Sequence, residues 1–498
     1  MLNSMYDKKT ILLYVLAFGA IMLGMKFTDG AAFAILIPCA LGFLAGRHPE
    51  KLIFVILVSI LTLIGNPYFM PKGIVYAVCQ RGLMMALGGL MMVQIFGRRN
   101  APQLTPVLWM LPYLVYMACV SFVGWSPLIS YLKLMLFSFI FIGIYAAANR
   151  AIVGQMDVRK FRSMFLAVSC VMLIGSVLVL PLGGIGYMGA EEVLKDPTLR
   201  SLFKGMTNHS QALGPITAFF GILVFADWLF SIQRMDKLYA VLMLCVPILL
   251  IKTASRTAMG AFLAGCLFLF FYFMRSRKIR IPWRGKVSQL AMGVGGLALI
   301  AVLLVPAARN RVAKFVLKYH TEGTQVSLNT EDILYTRQGK IDECLRNWRQ
   351  SPHIGNGFQV SEEMKGFRAS SLKQVLTAPV EKSTWIVAIL EEGGWIGEAL
   401  FVFYVIVCLA LLVRRRAYIG ATCFATMVVI NLGEFTIFSM SGSGGSIWGL
   451  TFVAIILDTQ RIKAEDTPPP PPPNWMDGPM GMPPPMSGPF RGGLIGRR

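Results

Sequence analysis

Four cations stand inside or at the rim of apolar runs: Arg81, Lys133, Lys252 and Arg256. A charge within a membrane span is costly, and it persists where it pairs with another group or handles a charged substrate. Arginine matches phosphate oxygens as a two-pronged fork, and lysine supplies a point charge. Four cations at one depth suit an anionic head group, such as a lipid-linked phosphate or pyrophosphate. Snorkelling to the surface is the alternative, and it accounts for Lys252 more easily than for Arg81. Arg256 lies within Ser255-Arg256-Thr257 at a helix start, where a cation opposes the dipole and an anion is attracted by it. Asp227, beside Trp228, reads as a local partner or a boundary residue rather than as part of this site. Cys39, Cys79, Cys119, Cys170, Cys245, Cys266, Cys408 and Cys423 lie in apolar runs, and Cys344 lies in a long polar loop. There is no C-x-x-C and no H-E-x-x-H, so neither a metal site nor a cofactor site is legible.

The elements that must carry these residues are membrane helices. Of 498 residues, 55% are hydrophobic and only 14% charged, with a mean hydropathy of +0.62. Soluble domains are nearer a quarter charged. Continuous apolar runs exclude a transmembrane barrel, whose strands alternate with period 2. The spacing predicts an all-α, polytopic integral membrane bundle of about fourteen spans. Their approximate limits are 10–26, 30–46, 50–65, 74–96, 105–124, 127–148, 163–185, 212–232, 238–252, 257–274, 288–306, 385–413, 417–434 and 444–459. The net charge of +22 follows from basic residues concentrated in alternate loops, which is the positive-inside pattern and not a nucleic-acid signature. That alternation places both termini in the cytoplasm and a large loop, 307–384, outside. Residues 1–463 form the membrane domain. Residues 464–498 are rich in proline, with an unbroken run from Pro468 to Pro473; they lack the apolar content to bury a core and read as a disordered cytoplasmic tail.

Four outer segments, from Gly205 to Gly214, Thr253 to Ala258, Arg337 to Phe358 and Trp385 to Gly397, occur in an order that resembles the O-antigen ligase and polymerase superfamily. Gly205 to Gly214, including Asn208, His209 and Gln211, resembles the family's "G-x-x-x-[HN]-x-N-x-L-G" segment. Thr253 to Ala258 resembles "T-x-S-R-[TG]-[AG]". Arg337, followed by Pro352 and Gly355-Asn356-Gly357-Phe358, resembles "R-x-x-x-W…P-x-x-G-x-G-x". Trp385 to Gly397, with Glu392, resembles "L-x-x-x-x-E-x-G-x-x-G". The likeness covers roughly residues 200–400. Family ligases carry His-Asn about nine residues before that Glu, and here the position is Ser383.

The resemblance implies a bacterial inner (cytoplasmic) membrane glycosyltransferase of surface polysaccharide synthesis. It would join a polyprenyl-pyrophosphate-linked oligosaccharide to a glycan or lipid acceptor, with membrane lipid around it and no cofactor or metal. Arg256 and Arg337 would hold the pyrophosphate, with Arg81, Lys133 and Lys252 nearby and Asn208 and Gln211 touching substrate. Without the family's His, the base that takes the acceptor proton would be Glu381, a neutral Lys382 or His209; as an ammonium, Lys382 would join the clamp. Apart from the resemblance, Glu392 itself reads as a structural partner for a nearby Arg. The rival functions are a lipid-linked glycan or anion transporter and a non-catalytic envelope scaffold.

Overall fold

The computed structural model describes residues 6–45, 48–96, 105–153, 157–188, 202–232, 236–275, 330–364, 382, 384–439 and 443–466. Among them, regular structure is helical apart from two isolated antiparallel bridges, Gly65–Thr207 and Tyr187–Phe203. The α-helices in chain order are α1 (Lys8–Phe27), α2 (Leu36–Ala45), α3 (Pro49–Leu63), α4 (Ile74–Phe96), α5 (Thr105–Val123), α6 (Pro127–Val153), α7 (Val158–Ser169) and α8 (Gly175–Val179). They continue with α9 (Ser210–Asp227), α10 (Lys237–Thr253), α11 (Arg256–Arg275), α12 (Thr330–Trp348), α13 (Trp385–Arg414), α14 (Tyr418–Asn431) and α15 (Ser443–Asp466).

All the expected spans but 288–306, which lies outside the described residues, fall on these helices. Length separates them. Five stretches are long and apolar enough to cross a membrane: Lys8–Phe27, Pro127–Tyr145, Val158–Ile185, Ser210–Phe230 and Trp385–Arg414. Others are too short by that measure. The 14 residues of α14 reach about 21 Å at 1.5 Å per residue, against about 30 Å of hydrocarbon. Among the described residues the protein is all-helical, with five helices long and apolar enough to cross a membrane where the sequence predicted fourteen spans along the whole chain.

Aspartates start three of the helices on the side expected to face the cytoplasm. Asp7, Asp157 and Asp236 accept the backbone N–H of Lys9, Arg159 and Leu238, satisfying donors that the first turn leaves open. At the centre stands α9, with 94% of its apolar window buried; it packs on α10, α11, α14 and α15. A helix apolar all round belongs inside. By contrast α1 has 17% of its window buried and turns Leu12, Leu13, Leu16 and Leu23 outward, as a lipid-facing helix does.

Two departures from α-helix matter. Between α7 and α8, Cys170–Ile174 forms a π-turn. Inside α13, Gly394 takes φ 61° and ψ −165°, a conformation that glycine alone adopts without cost. The break releases the carbonyls of Glu391 and Glu392, which accept the N–H of Asn356 and Gly357, each at 3.0 Å. Tyr116 donates its hydroxyl to the Gly393 carbonyl at 2.8 Å. Irregular backbone inside a membrane protein survives where protein satisfies it, and here the loop 352–358 does so.

Candidate functional site

The expected outer ends of α9, α10, α11 and α14 meet. The strand-like segment before α9 is locked to the α3–α4 loop. Asn208 N–H donates to the Ile64 carbonyl at 2.7 Å and Asn66 N–H to Met206 at 2.9 Å. The Asn66 side-chain amide bonds the carbonyls of Gly205, at 2.7 Å, and Ile185, at 2.9 Å. His209 then begins α9: its Nδ1 accepts the Gln211 N–H at 3.0 Å. The ring caps a helix, which occupies one of its two nitrogens, and Gln211 itself is exposed.

Two residues join α10 to α11. Ala254 takes the left-handed conformation at φ 50°, and Ser255 and Ala258 pack against Gly214 of α9, leaving no room there for a Cβ. This turn sets Arg256 at the first position of α11. On the other side Thr257 packs against Gly433, where again a Cβ would collide. Gly433 precedes Glu434, just beyond α14, and Glu434 Oε1 accepts Arg337 Nη2 of α12 at 2.7 Å. Arg337 stands near enough for its positive charge to act on Arg256. The arginine and glutamate side chains of that pair keep 27% and 15% of their exposure. So two arginines and one carboxylate, from α11, α12 and the end of α14, occupy one semi-open place.

The remaining expected cations go elsewhere. Lys382, buried, lies 2.9 Å from Glu391 Oε2 and 3.0 Å from Glu392 Oε1. Burial alone would lower the lysine pKa, but the two carboxylates outweigh it and hold it above the ordinary lysine value. Lys382 is therefore an ammonium committed to two carboxylates, which corrects both the neutral-base expectation and its place in a phosphate clamp. Glu392 has a lysine for its partner instead of the expected arginine. Asn347 donates to Glu391 Oε1 at 2.8 Å, and burial, followed by the Glu391 charge, pushes the Cys344 thiol up. Lys133 of α6 is buried too, donating to the Gln359 carbonyl at 2.8 Å, within the field of Glu392 and Lys382. These residues pin α12, the 352–359 loop and α6 to the break in α13.

The expected four-cation site thus divides. Arg256 goes with Arg337, whereas Lys133 goes with Lys382. Arg81 sits half-buried on α4 beside Tyr76, in the part of the bundle where α4 packs on α3 and α6. Lys252 is exposed near the end of α10, and its carbonyl accepts Phe203 N–H at 3.4 Å. The physical reason is that a cation beside a carboxylate gains more than one pooled with like charges. Glu381 lies outside the described residues. Asp227 has the local partner expected of it: Arg162 grips it at 2.9 Å and Tyr239 donates its hydroxyl to it at 2.7 Å.

Sequence reasoning missed Glu434. Its signal was present: a carboxylate directly after an apolar run, at the same predicted membrane face as Arg256. Chemically, two arginines within each other's field can receive an anion, which relieves their repulsion and competes with Glu434 for the fork of Arg337. No family model matches the chain, and no curated protein is found to be similar to it.

Proposed function

We propose that this protein performs extracytoplasmic glycosyl transfer, moving a glycan from a polyprenyl-pyrophosphate carrier to a hydroxyl acceptor during surface polysaccharide polymerisation or ligation. The observation that carries the reading is that Arg256, at the start of α11, lies within the field of Arg337 of α12, which pairs with Glu434 next to the contact of Gly433 with Thr257; the two arginines come from segments 81 residues apart in sequence, on the expected outer side. Both belong to the segments that resemble the O-antigen ligase and polymerase superfamily. A departing pyrophosphate gains negative charge, and fixed cations aimed at it lower the barrier without a metal. Arg256 and Arg337 hold that charge. The α9 start, with Asn208 and Gln211, borders the same place and faces the glycan. The reaction belongs to the outer face of a bacterial cytoplasmic membrane, where the lipid-linked oligosaccharide is presented.

Two measurements test this. A reporter fused after Gly357 is expected to be active only in exported form; cytoplasmic activity there removes the outer site. Cells lacking the gene are expected to accumulate a lipid-linked oligosaccharide and lose its polymer or ligated product. The purified protein in liposomes should convert that extracted lipid, releasing polyprenyl pyrophosphate. Absence of both accumulation and conversion contradicts the reading.

A further inference from the structure

We infer that Glu434 is the base that takes the acceptor proton, and that it is held by Arg337 until a pyrophosphate claims the arginine. This rests on the glycosyl-transfer reading above. The other candidates with described positions are spent: His209 gives Nδ1 to the start of α9, and Lys382 is a buried ammonium between Glu391 and Glu392. Glu434 is the carboxylate that sits with the two arginines, 2.7 Å from Arg337 and carried beside Thr257 by the close approach of Gly433. Its side chain is 15% exposed, open enough for a hydroxyl to reach.

While paired, the carboxylate is a weak base, because the guanidinium favours its charged form. A doubly charged pyrophosphate is a stronger partner for an arginine fork than one carboxylate. When it draws Arg337 away, Glu434 loses the positive charge of that arginine and becomes a better proton acceptor than before, at the moment substrate is present. The acceptor O–H then gives its proton to a Glu434 oxygen as the acceptor oxygen bonds the anomeric carbon. The bond from that carbon to the pyrophosphate oxygen breaks, and its electron pair leaves with polyprenyl pyrophosphate, whose added charge rests on Arg256 and Arg337. Glu434 returns the proton to water and re-forms its pair with Arg337.

Among the described residues, Arg337 from α12 pairs with Glu434, Arg256 of α11 stands next in sequence to Thr257, against which Gly433 packs, and His209 caps the start of α9. The test uses the full chain in liposomes, the lipid-linked oligosaccharide extracted from cells lacking the gene, and undecaprenyl pyrophosphate as binding probe. Glu434→Gln is expected to bind undecaprenyl pyrophosphate at least as tightly as the unaltered protein, because a competitor for Arg337 is gone. Its turnover should fall roughly 10²- to 10⁴-fold, the usual contribution of a general base. The loss of rate toward acid pH, where a carboxylate base is protonated, should disappear from what remains. His209→Ala should keep that acid limb, and Glu434→Asp should recover part of the rate. Unchanged turnover and pH profile in Glu434→Gln overturns the inference and leaves the two arginines in place. Binding lost in parallel with Arg337→Ala also overturns it, since Glu434 then only positions the arginine. Failure of the unaltered protein to convert the lipid defeats the glycosyl-transfer reading, and the base falls with it.

Discussion

Among the described residues are two arginine–carboxylate pairs of the same chemistry and opposite character. Arg162 and Asp227 are 8% and 0% exposed along their side chains. Arg162 Nε lies 2.9 Å from Oδ2 and 3.3 Å from Oδ1, its Nη2 is 3.1 Å from Oδ1, and the Tyr239 hydroxyl takes a further lone pair of Oδ2. It joins α7, α9 and α10 near the expected inner face. Arg337 and Glu434 are 27% and 15% exposed, share one bond of 2.7 Å, and confront a second arginine. Saturation makes the first pair a brace, since nothing could displace a partner without stranding a buried charge. The second is a place where partners can exchange. On the proposed function, burial rather than residue type separates an arginine that holds the fold from one that handles substrate.

Breaking the brace should have the largest effect on stability. Asp227→Ala takes the carboxylate from buried Arg162, a loss of about 3–5 kcal/mol, seen as a fall in the amount of inserted protein and in the thermal midpoint in detergent. The double variant Arg162→Met, Asp227→Leu should recover most of it, because an apolar replacement of both partners leaves no stranded charge. Arg337→Ala and Arg256→Ala make the contrast: inserted protein stays near the unaltered level, and transfer falls about a hundredfold, as loss of a transition-state contact worth about 3 kcal/mol requires. Arg→Lys at either position should restore transfer only in part, since lysine cannot supply the fork. If Arg337→Ala instead lowers inserted protein as Asp227→Ala does, the two pairs are alike and the distinction fails. Smallest is His209→Ala, which removes a helix cap worth about 1 kcal/mol and should lower the thermal midpoint slightly with little change in transfer.

Much of the fold was legible because hydropathy reports burial in lipid directly. The span limits 10–26, 74–96 and 385–413 fall on α1, α4 and α13. The broken geometry was not legible. Gly393-Gly394 inside an apolar run looks like a small-residue packing surface, and only the approach of the 352–358 loop turns it into a break with two freed carbonyls. Lengths also resisted reading: an apolar run at 417–434 says where lipid or core is met, but α14 ends at Asn431, whose side-chain carbonyl accepts the Thr436 N–H. At the site, the expectation set Arg256 with Arg337, and Arg337 lies close enough for its charge to act on Arg256. Lys133 and Lys382 were misassigned because cation placement alone does not reveal partners. Glu391-Glu392 stood in plain sequence view, yet the pairing that occupies Lys382 is made across the fold. Glu434 was hidden at a predicted span boundary, where a charge ordinarily passes as a solvated end.

Equilibrium binding of undecaprenyl pyrophosphate to the purified chain in nanodiscs tests the central claim most directly, because it isolates the arginine site from the rest of the reaction. The unaltered protein and the Arg162→Met, Asp227→Leu control should bind with the same affinity. Arg256→Ala combined with Arg337→Ala should weaken binding at least a hundredfold, since each charge-assisted contact contributes about 1.5–3 kcal/mol. Equal affinity in the double arginine variant and the unaltered protein would contradict the account.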